Sequence, residues 1–122
     1  MIIGVGSDIL AVSRMRDVEQ DAVFLRKAFT EKERAQAAAR PKPKYYFCTR
    51  FSGKEAVFKA LGMDPDQARL NEIEILSDDF GAPRVTLHGR MAAFAQSRGI
   101  RQIHLSLSWE TDYAVAFAVA ES

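Results

Sequence analysis

Glu55 and Lys59 stand one helical turn apart in the run Arg50-Phe51-Ser52-Gly53-Lys54-Glu55-Ala56-Val57-Phe58-Lys59-Ala60-Leu61-Gly62, where most neighbours are apolar. At about 100° per residue, Phe47, Phe51 and Phe58 fall in one narrow sector, and Glu55 lies about 40° from Phe51. A carboxylate placed there is expected to be half buried, and a buried charge needs a partner. That partner is either Lys59, in an i,i+4 pair worth about 0.3–0.5 kcal/mol, or a metal shared with a second acid. Asp8 is the second acid: it follows the apolar Met1-Ile2-Ile3 and the glycines of Gly4-Val5-Gly6-Ser7-Asp8-Ile9, between uncharged neighbours. Two acids, a lysine and glycines that permit close backbone approach suit Mg²⁺ carrying a polyphosphate. This ion is content with one or two carboxylates, waters and phosphate oxygens. Gly4 and Gly6 do not continue into G-x-G-x-x-G, and G-x-x-x-x-G-K-[ST] is absent, so neither common nucleotide fingerprint applies.

The elements that must position these groups follow from pattern. Residues 2–10 read as a strand, a short helix is expected from about Ser13, and Ala22 to Ala28 forms another turn or two. Thr30-Glu31-Lys32-Glu33 is a capping box that starts a helix over 31–39, and Arg40-Pro41-Lys42-Pro43 ends it. The long helix then spans about Lys44 to Leu61, with Gly62 as its stop, and Gly53 within it marks a close approach by a neighbouring backbone or a ligand. Glu72 to Leu76 and Arg84 to His88 alternate as strands around the turn Asp79-Phe80-Gly81-Ala82-Pro83. Met91 to Arg98 reads as an amphipathic helix, and Gln102 to Trp109 and Tyr113 to Ala120 as a closing hairpin. The last strand is apolar throughout, which implies cover on both faces, by helices or by another subunit.

Composition bounds the class. A chain of 122 residues with 48% apolar and 27% charged residues forms one core. A formal net charge of +1 argues against a general nucleic-acid binder. The single cysteine, Cys48, excludes an internal disulfide framework and fits a reducing cytoplasm, where it reads as a small buried residue. Apolar runs fall far short of the ~20 residues of a membrane span, and no secretory signal is evident.

Three motifs in order carry a resemblance. Gly4-Val5-Gly6-Ser7-Asp8-Ile9 is similar to G-[IV]-G-x-D-[IV]. Arg50-Phe51, Lys54-Glu55-Ala56 and Lys59-Ala60-Leu61-Gly62 are similar to R-F-x-x-K-E-A-x-x-K-A-[LF]-G. Leu105 to Ser108 with Asp112 to Ala116 is similar to V-S-[IL]-[ST]-H … [DE]-Y-A-x-A. Phe29-Thr30-x-x-Glu33 and Gly81-Ala82-Pro83 add lesser agreement. Together they resemble the holo-[acyl-carrier-protein] synthases, the small stand-alone 4′-phosphopantetheinyl transferases. The resemblance implies an α+β fold with a mostly antiparallel sheet packed with one long and several short helices, a single domain over 1–122, and a homotrimer with sites between protomers.

It further implies Mg²⁺-dependent transfer of the 4′-phosphopantetheine arm of coenzyme A to a serine of an apo acyl carrier protein in fatty-acid or related synthesis, releasing 3′,5′-ADP. Asp8 and Glu55 match the metal ligands and, with Lys59 at a phosphate, the catalytic group. The serine proton passes to Glu55 or to a metal-bound water. Arg50, Lys54, Gly81, Pro83, Ser108 and Trp109 match coenzyme A positions, although a solvated helix edge would account for Arg50 and Lys54 equally. The carrier is expected to be acidic, so Arg14, Arg16, Arg26 and Lys27, with Met15 and Phe24 as apolar contacts, are the docking candidates; Asp17, Glu19 and Asp21 interrupt them, and the family's docking helix is usually more basic. Trp109 departs from the family histidine and offers stacking in place of a titratable ring. An alternative is a catalytically silent relative that binds coenzyme A or a carrier protein without transfer. A second is an assembly subunit in which Glu55 and Lys59 are a plain salt bridge.

Overall fold

The computed structural model describes residues 1–122. Strand β1 (Ile2–Ala11) leads through two 3₁₀ turns, Val12–Met15 and Val18–Gln20, into α1 (Ala22–Ala28), α2 (Glu31–Ala38) and the long α3 (Pro43–Leu61). After 3₁₀ turns at Pro65–Gln67 and Leu70–Glu72 come β2 (Ile73–Ser77), β3 (Pro83–Leu87), α4 (Gly89–Ser97), β4 (Gln102–Trp109) and β5 (Tyr113–Glu121). The strands form two antiparallel sheets, β1-β5-β4 and β2-β3. The helix expected from Ser13 is therefore a pair of tight turns, and α4 starts two residues earlier than the amphipathic pattern begins.

Helix α3 is the axis of the molecule. Proline sits at its first turn, where its missing N–H costs nothing, and Gly62 closes it in the left-handed conformation at φ 73°. Its Ala56, Val57, Ala60 and Leu61 join Ile73, Ile75, Met91 and Ala116, Ala118 and Ala120 of β5 in one cluster; Tyr46, Phe47 and Cys48 join Leu10, Val12, Met15, Ala28, Phe29 and Ala114 in a second. Each fully buried large apolar side chain contributes about 1.5–3 kcal/mol.

Register explains how α3 comes so close to the sheet. Gly4, Gly6 and Asp8 pair with Ala120, Ala118 and Ala116, so all six point to the α3 side. A Cβ on Gly4 would lie 2.1 Å from the Ala60 carbonyl oxygen, and one on Gly6 would lie 2.0 Å from that of Ala56. These two glycines thus serve the helix–strand contact. The approach at Gly53 is made by the side chains of Ile75, Leu105 and Leu107, not by a backbone.

The apolar β5 proves to be two-faced. Ala114, Ala116, Ala118 and Ala120 are buried under α3, whereas Tyr113, Val115 and Phe117 are exposed beside Val5 and Ile9 of β1. Only one of its two expected covers lies within this chain.

The capping box forms as expected: Thr30 N–H donates to Glu33 Oε1 at 2.9 Å, and Glu33 N–H donates to Thr30 Oγ1 at 3.2 Å.

Candidate active site

The inward row of β1 meets α3 rung by rung, Gly4 at Ala60, Gly6 at Ala56 and Asp8 at Ser52. At the last rung the buried Ser52 hydroxyl donates to Asp8 Oδ2 at 2.8 Å. Lys59 stretches along β1, donating to the Ser7 carbonyl at 3.0 Å, with its ammonium 3.7 Å from Asp8 Oδ1. Glu55 is half-buried beside Asp8. Burial raises its pKa, the Asp8 charge raises it further, and Lys59 only partly offsets both.

The i,i+4 ion pair between Glu55 and Lys59 is not formed; Lys59 pairs with Asp8, and the Glu55 carboxylate has no hydrogen-bond or ion-pair partner. Two acids facing each other, one of them unpartnered, with an exposed lysine at their edge, fit a divalent cation and a phosphate. No group of three or more His, Cys, Asp or Glu side chains gathers in the protein, so a cation held by Asp8 and Glu55 would take its remaining ligands from water and ligand oxygens, a set that suits Mg²⁺.

Lys54, matched above to coenzyme A, is withdrawn from that role. It is fully buried, and its three donors go to Glu33 Oε1 at 2.8 Å, the Leu70 carbonyl at 2.7 Å and the Ile73 carbonyl. Burial depresses its pKa and Glu33 counters that. It is equally far from a solvated helix edge. Glu33 also accepts from Ile75 N–H at 2.8 Å, so the capping-box acid doubles as the anchor of β2.

Arg50 lies in a separate cleft of about 280 Å³ with Arg40, Lys42, Tyr45, Tyr46 and Trp109. Its guanidinium stacks 4.1 Å from the Tyr46 ring centroid, donates to Thr49 and Ser77, and leaves Nε buried without a partner. Trp109 is 60% exposed, so it is not a core residue. Cations around aromatic faces are suited to a phosphate next to a flat ring. Sequence reading missed Arg40, Lys42, Tyr45 and Tyr46; the i,i+4 spacing of Tyr46 and Arg50 was the available signal. Ser108 lies on the opposite, outer face, paired with Val115.

Five residues, or about 140° of rotation, separate Arg50 from Glu55 on α3. Asp8 lies on edge strand β1 and Trp109 on edge strand β4, so α3 runs between the two-acid group and the cleft.

Pro83 opens β3, paired with Ser77, and Gly81 lies in the β2–β3 turn. Asp78 Oδ1 accepts the Phe80 and Ala82 N–H groups there, both at 2.9 Å, and Gly81 takes φ 83° in open space. In the docking patch, Arg14, Arg26 and Lys27 are exposed and Phe24 packs 5.8 Å from Phe51, one turn before Glu55. Met15 is buried in the second cluster, which makes it a core residue more than a docking contact. Asp17 and Asp21 share a hollow with Arg14 and Phe24.

Residues 4–118 match the model of the 4′-phosphopantetheinyl transferase superfamily. The chain is 39% identical to the holo-[acyl-carrier-protein] synthase of Caldanaerobacter subterraneus over 98% of this chain and 95% of that protein. The crystal structure of the holo-[acyl-carrier-protein] synthase of Neisseria meningitidis superposes with a TM-score of 0.89 at 30% identity over the full length of both chains. That of Bacillus anthracis, in complex with CoA (3′,5′-ADP), superposes with a TM-score of 0.82 at 30% identity over 100% of this chain and 98% of the other. Matched over almost its whole length in sequence and in fold, the chain belongs to the 4′-phosphopantetheinyl transferase superfamily.

Proposed function

We propose that this protein transfers the 4′-phosphopantetheine group of coenzyme A to a serine of an apo acyl carrier protein, releasing 3′,5′-ADP. The observation that carries the reading is the juxtaposition of Asp8, the unpartnered Glu55 and Lys59 across the β1–α3 contact. The serine oxygen gives its proton to Glu55 or to water and bonds to the β-phosphorus of coenzyme A, while the bond from that phosphorus to the bridging oxygen breaks and that oxygen leaves with 3′,5′-ADP. Catalysis therefore rests on charge neutralisation and alignment. Asp8 and Glu55 would hold Mg²⁺, which supplies neutralisation of the pyrophosphate and its leaving oxygen when bound. Lys59 brings a mobile positive charge to the same phosphates, and its half-exposed ammonium can leave Ser7 for them. The cleft of Arg50 and Trp109 would take the 3′-phosphate and adenine.

Because α3 separates the cleft from the acids, one coenzyme is best held between two protomers, the acids of one and the cleft of another. The exposed apolar face of Val5, Ile9, Tyr113, Val115 and Phe117 supports such an assembly, for which we propose a homotrimer. On α1, Phe24 packs against Phe51, one turn before Glu55, and the exposed Arg26 and Lys27 of the same helix suit an acidic carrier. No helix is long and apolar enough to cross a membrane, and Cys48 is a free buried thiol; we place the single transferase domain in the cytoplasm, serving fatty-acid synthesis.

The test is intact mass spectrometry of an apo acyl carrier protein incubated with the protein, coenzyme A and Mg²⁺. The expected result is a gain of one phosphopantetheine, abolished by EDTA. Bound coenzyme A with no gain on several carriers would establish the silent relative, for which Trp109 is the motivating residue.

A further inference from the structure

We infer that Ser52 is a positioning residue for the metal-binding acid Asp8, an inference that rests on the metal-dependent reading above. Gly4 and Gly6 let the β1 and α3 backbones approach until no side chain fits between them. At the next rung the gap is bridged by a single hydroxyl, which reaches Asp8 Oδ2 at 2.8 Å and lies 3.4 Å from the Asp8 carbonyl oxygen. Ser52 is fully buried, whereas the Asp8 carboxylate is partly open to solvent. The hydroxyl therefore anchors Oδ2 on the protein side and leaves Oδ1 for a cation, on the flank shared with Glu55 and Lys59.

Without that hydroxyl, the other side-chain contact of Asp8 is the Lys59 ammonium 3.7 Å away. The carboxylate would be free to turn toward it, which spoils the cation site and draws Lys59 away from phosphate. Outer partners of metal ligands act in this way, by fixing ligand orientation, and their loss costs about 10–100-fold in metal affinity or activity. Ser52 touches neither substrate nor cation, so its effect passes entirely through Asp8.

The inference is tested with Ser52→Ala and with Ser52→Cys, which keeps the shape at a slightly larger volume but is a poor donor. Mn²⁺ binding is followed by electron paramagnetic resonance in the presence of 3′,5′-ADP, alongside thermal melting and transfer kinetics. The expected result is roughly tenfold weaker Mn²⁺ binding in both variants, recovery of part of the lost rate at high Mg²⁺, an unchanged KM for the carrier protein, and a folded protein by melting. If either variant is folded and binds Mn²⁺ within twofold of the parent, Ser52 is a packing residue and the inference is overturned. If the parent itself binds no Mn²⁺ with 3′,5′-ADP, the metal-dependent reading fails, and this inference with it.

Discussion

Lys54 and Glu55 are consecutive on α3, yet 100° of rotation sends the ammonium into the core and leaves the carboxylate at the β1 flank. Removing the ammonium strands Glu33 as a buried charge, so Lys54→Ala is expected to lower stability by about 3–5 kcal/mol in urea unfolding. Glu55 behaves in the opposite way. Its raised pKa means that the folded state holds the proton more tightly than the unfolded chain. The associated stability is present below the ordinary value of 4.5 and lost as pH rises through the folded value. At pH 7 without metal, Glu55→Gln should melt no lower than the parent, while losing at least ~100-fold of Mg²⁺-dependent transfer. A markedly lower melting temperature would make Glu55 structural. Trp109→Ala should raise KM for coenzyme A about tenfold and leave kcat nearly intact, since stacking on a base is worth roughly 1–3 kcal/mol. An unaltered KM in steady-state kinetics would remove Trp109 from the site.

At the scale of elements, the contact between β1 and α3 is what turns two distant acids into a site. Gly6→Ala would push its Cβ against the Ala56 carbonyl and the Lys59 stem, at 2.0 and 2.9 Å. The first neighbour is backbone and cannot swing away, so strand and helix must part. The expected cost is about 3 kcal/mol, with loss of Mn²⁺ binding by the remaining folded fraction. Calorimetry together with metal titration checks this; a variant as stable as the parent would show that the strand slides without harm. The capping box is another case of shared duty. Glu33 caps α2, neutralises Lys54 and holds the β2 backbone, so three elements depend on one carboxylate.

For the whole molecule, the question is what covers the outer face of the β1-β5-β4 sheet. Phe117 stands near its centre, opposite Ser7 and Ser106, with Val5, Ile9 and Val115 around it. Phe117→Glu puts a charge into that face without touching α3. Sedimentation should show the proposed homotrimer falling to monomer, with transfer reduced by ~100-fold or more, because the acids and the cleft then lie on opposite flanks of one α3. A monomeric variant with full activity would show that one protomer suffices.

Much of this was legible in the chain. The capping box, the prolines and Gly62 set helix boundaries through local chemistry, and the period of two in β2, β3 and β4 follows from the pleat. The motifs Gly4 to Asp8 and Arg50 to Gly62 singled out Asp8, Glu55 and Lys59 through their joint match in order, since Glu55 and Lys59 alone read equally as a plain i,i+4 pair. What stayed hidden depended on facing surfaces. Sequence spacing favours Glu55 with Lys59, but only the approach of β1 reveals that Asp8 takes the lysine and Ser52 holds Asp8. Lys54 read as a phosphate ligand because it matches a basic motif position, and a motif match does not show its neighbours, which are Glu33 and two carbonyls from distant segments. Arg50 and Trp109 share a cleft only once β4 lies beside α3. The sequence by itself determined the elements and the chemistry available on each; the tertiary structure decided which charges meet, since partners separated by tens of residues are chosen by packing and not by local periodicity.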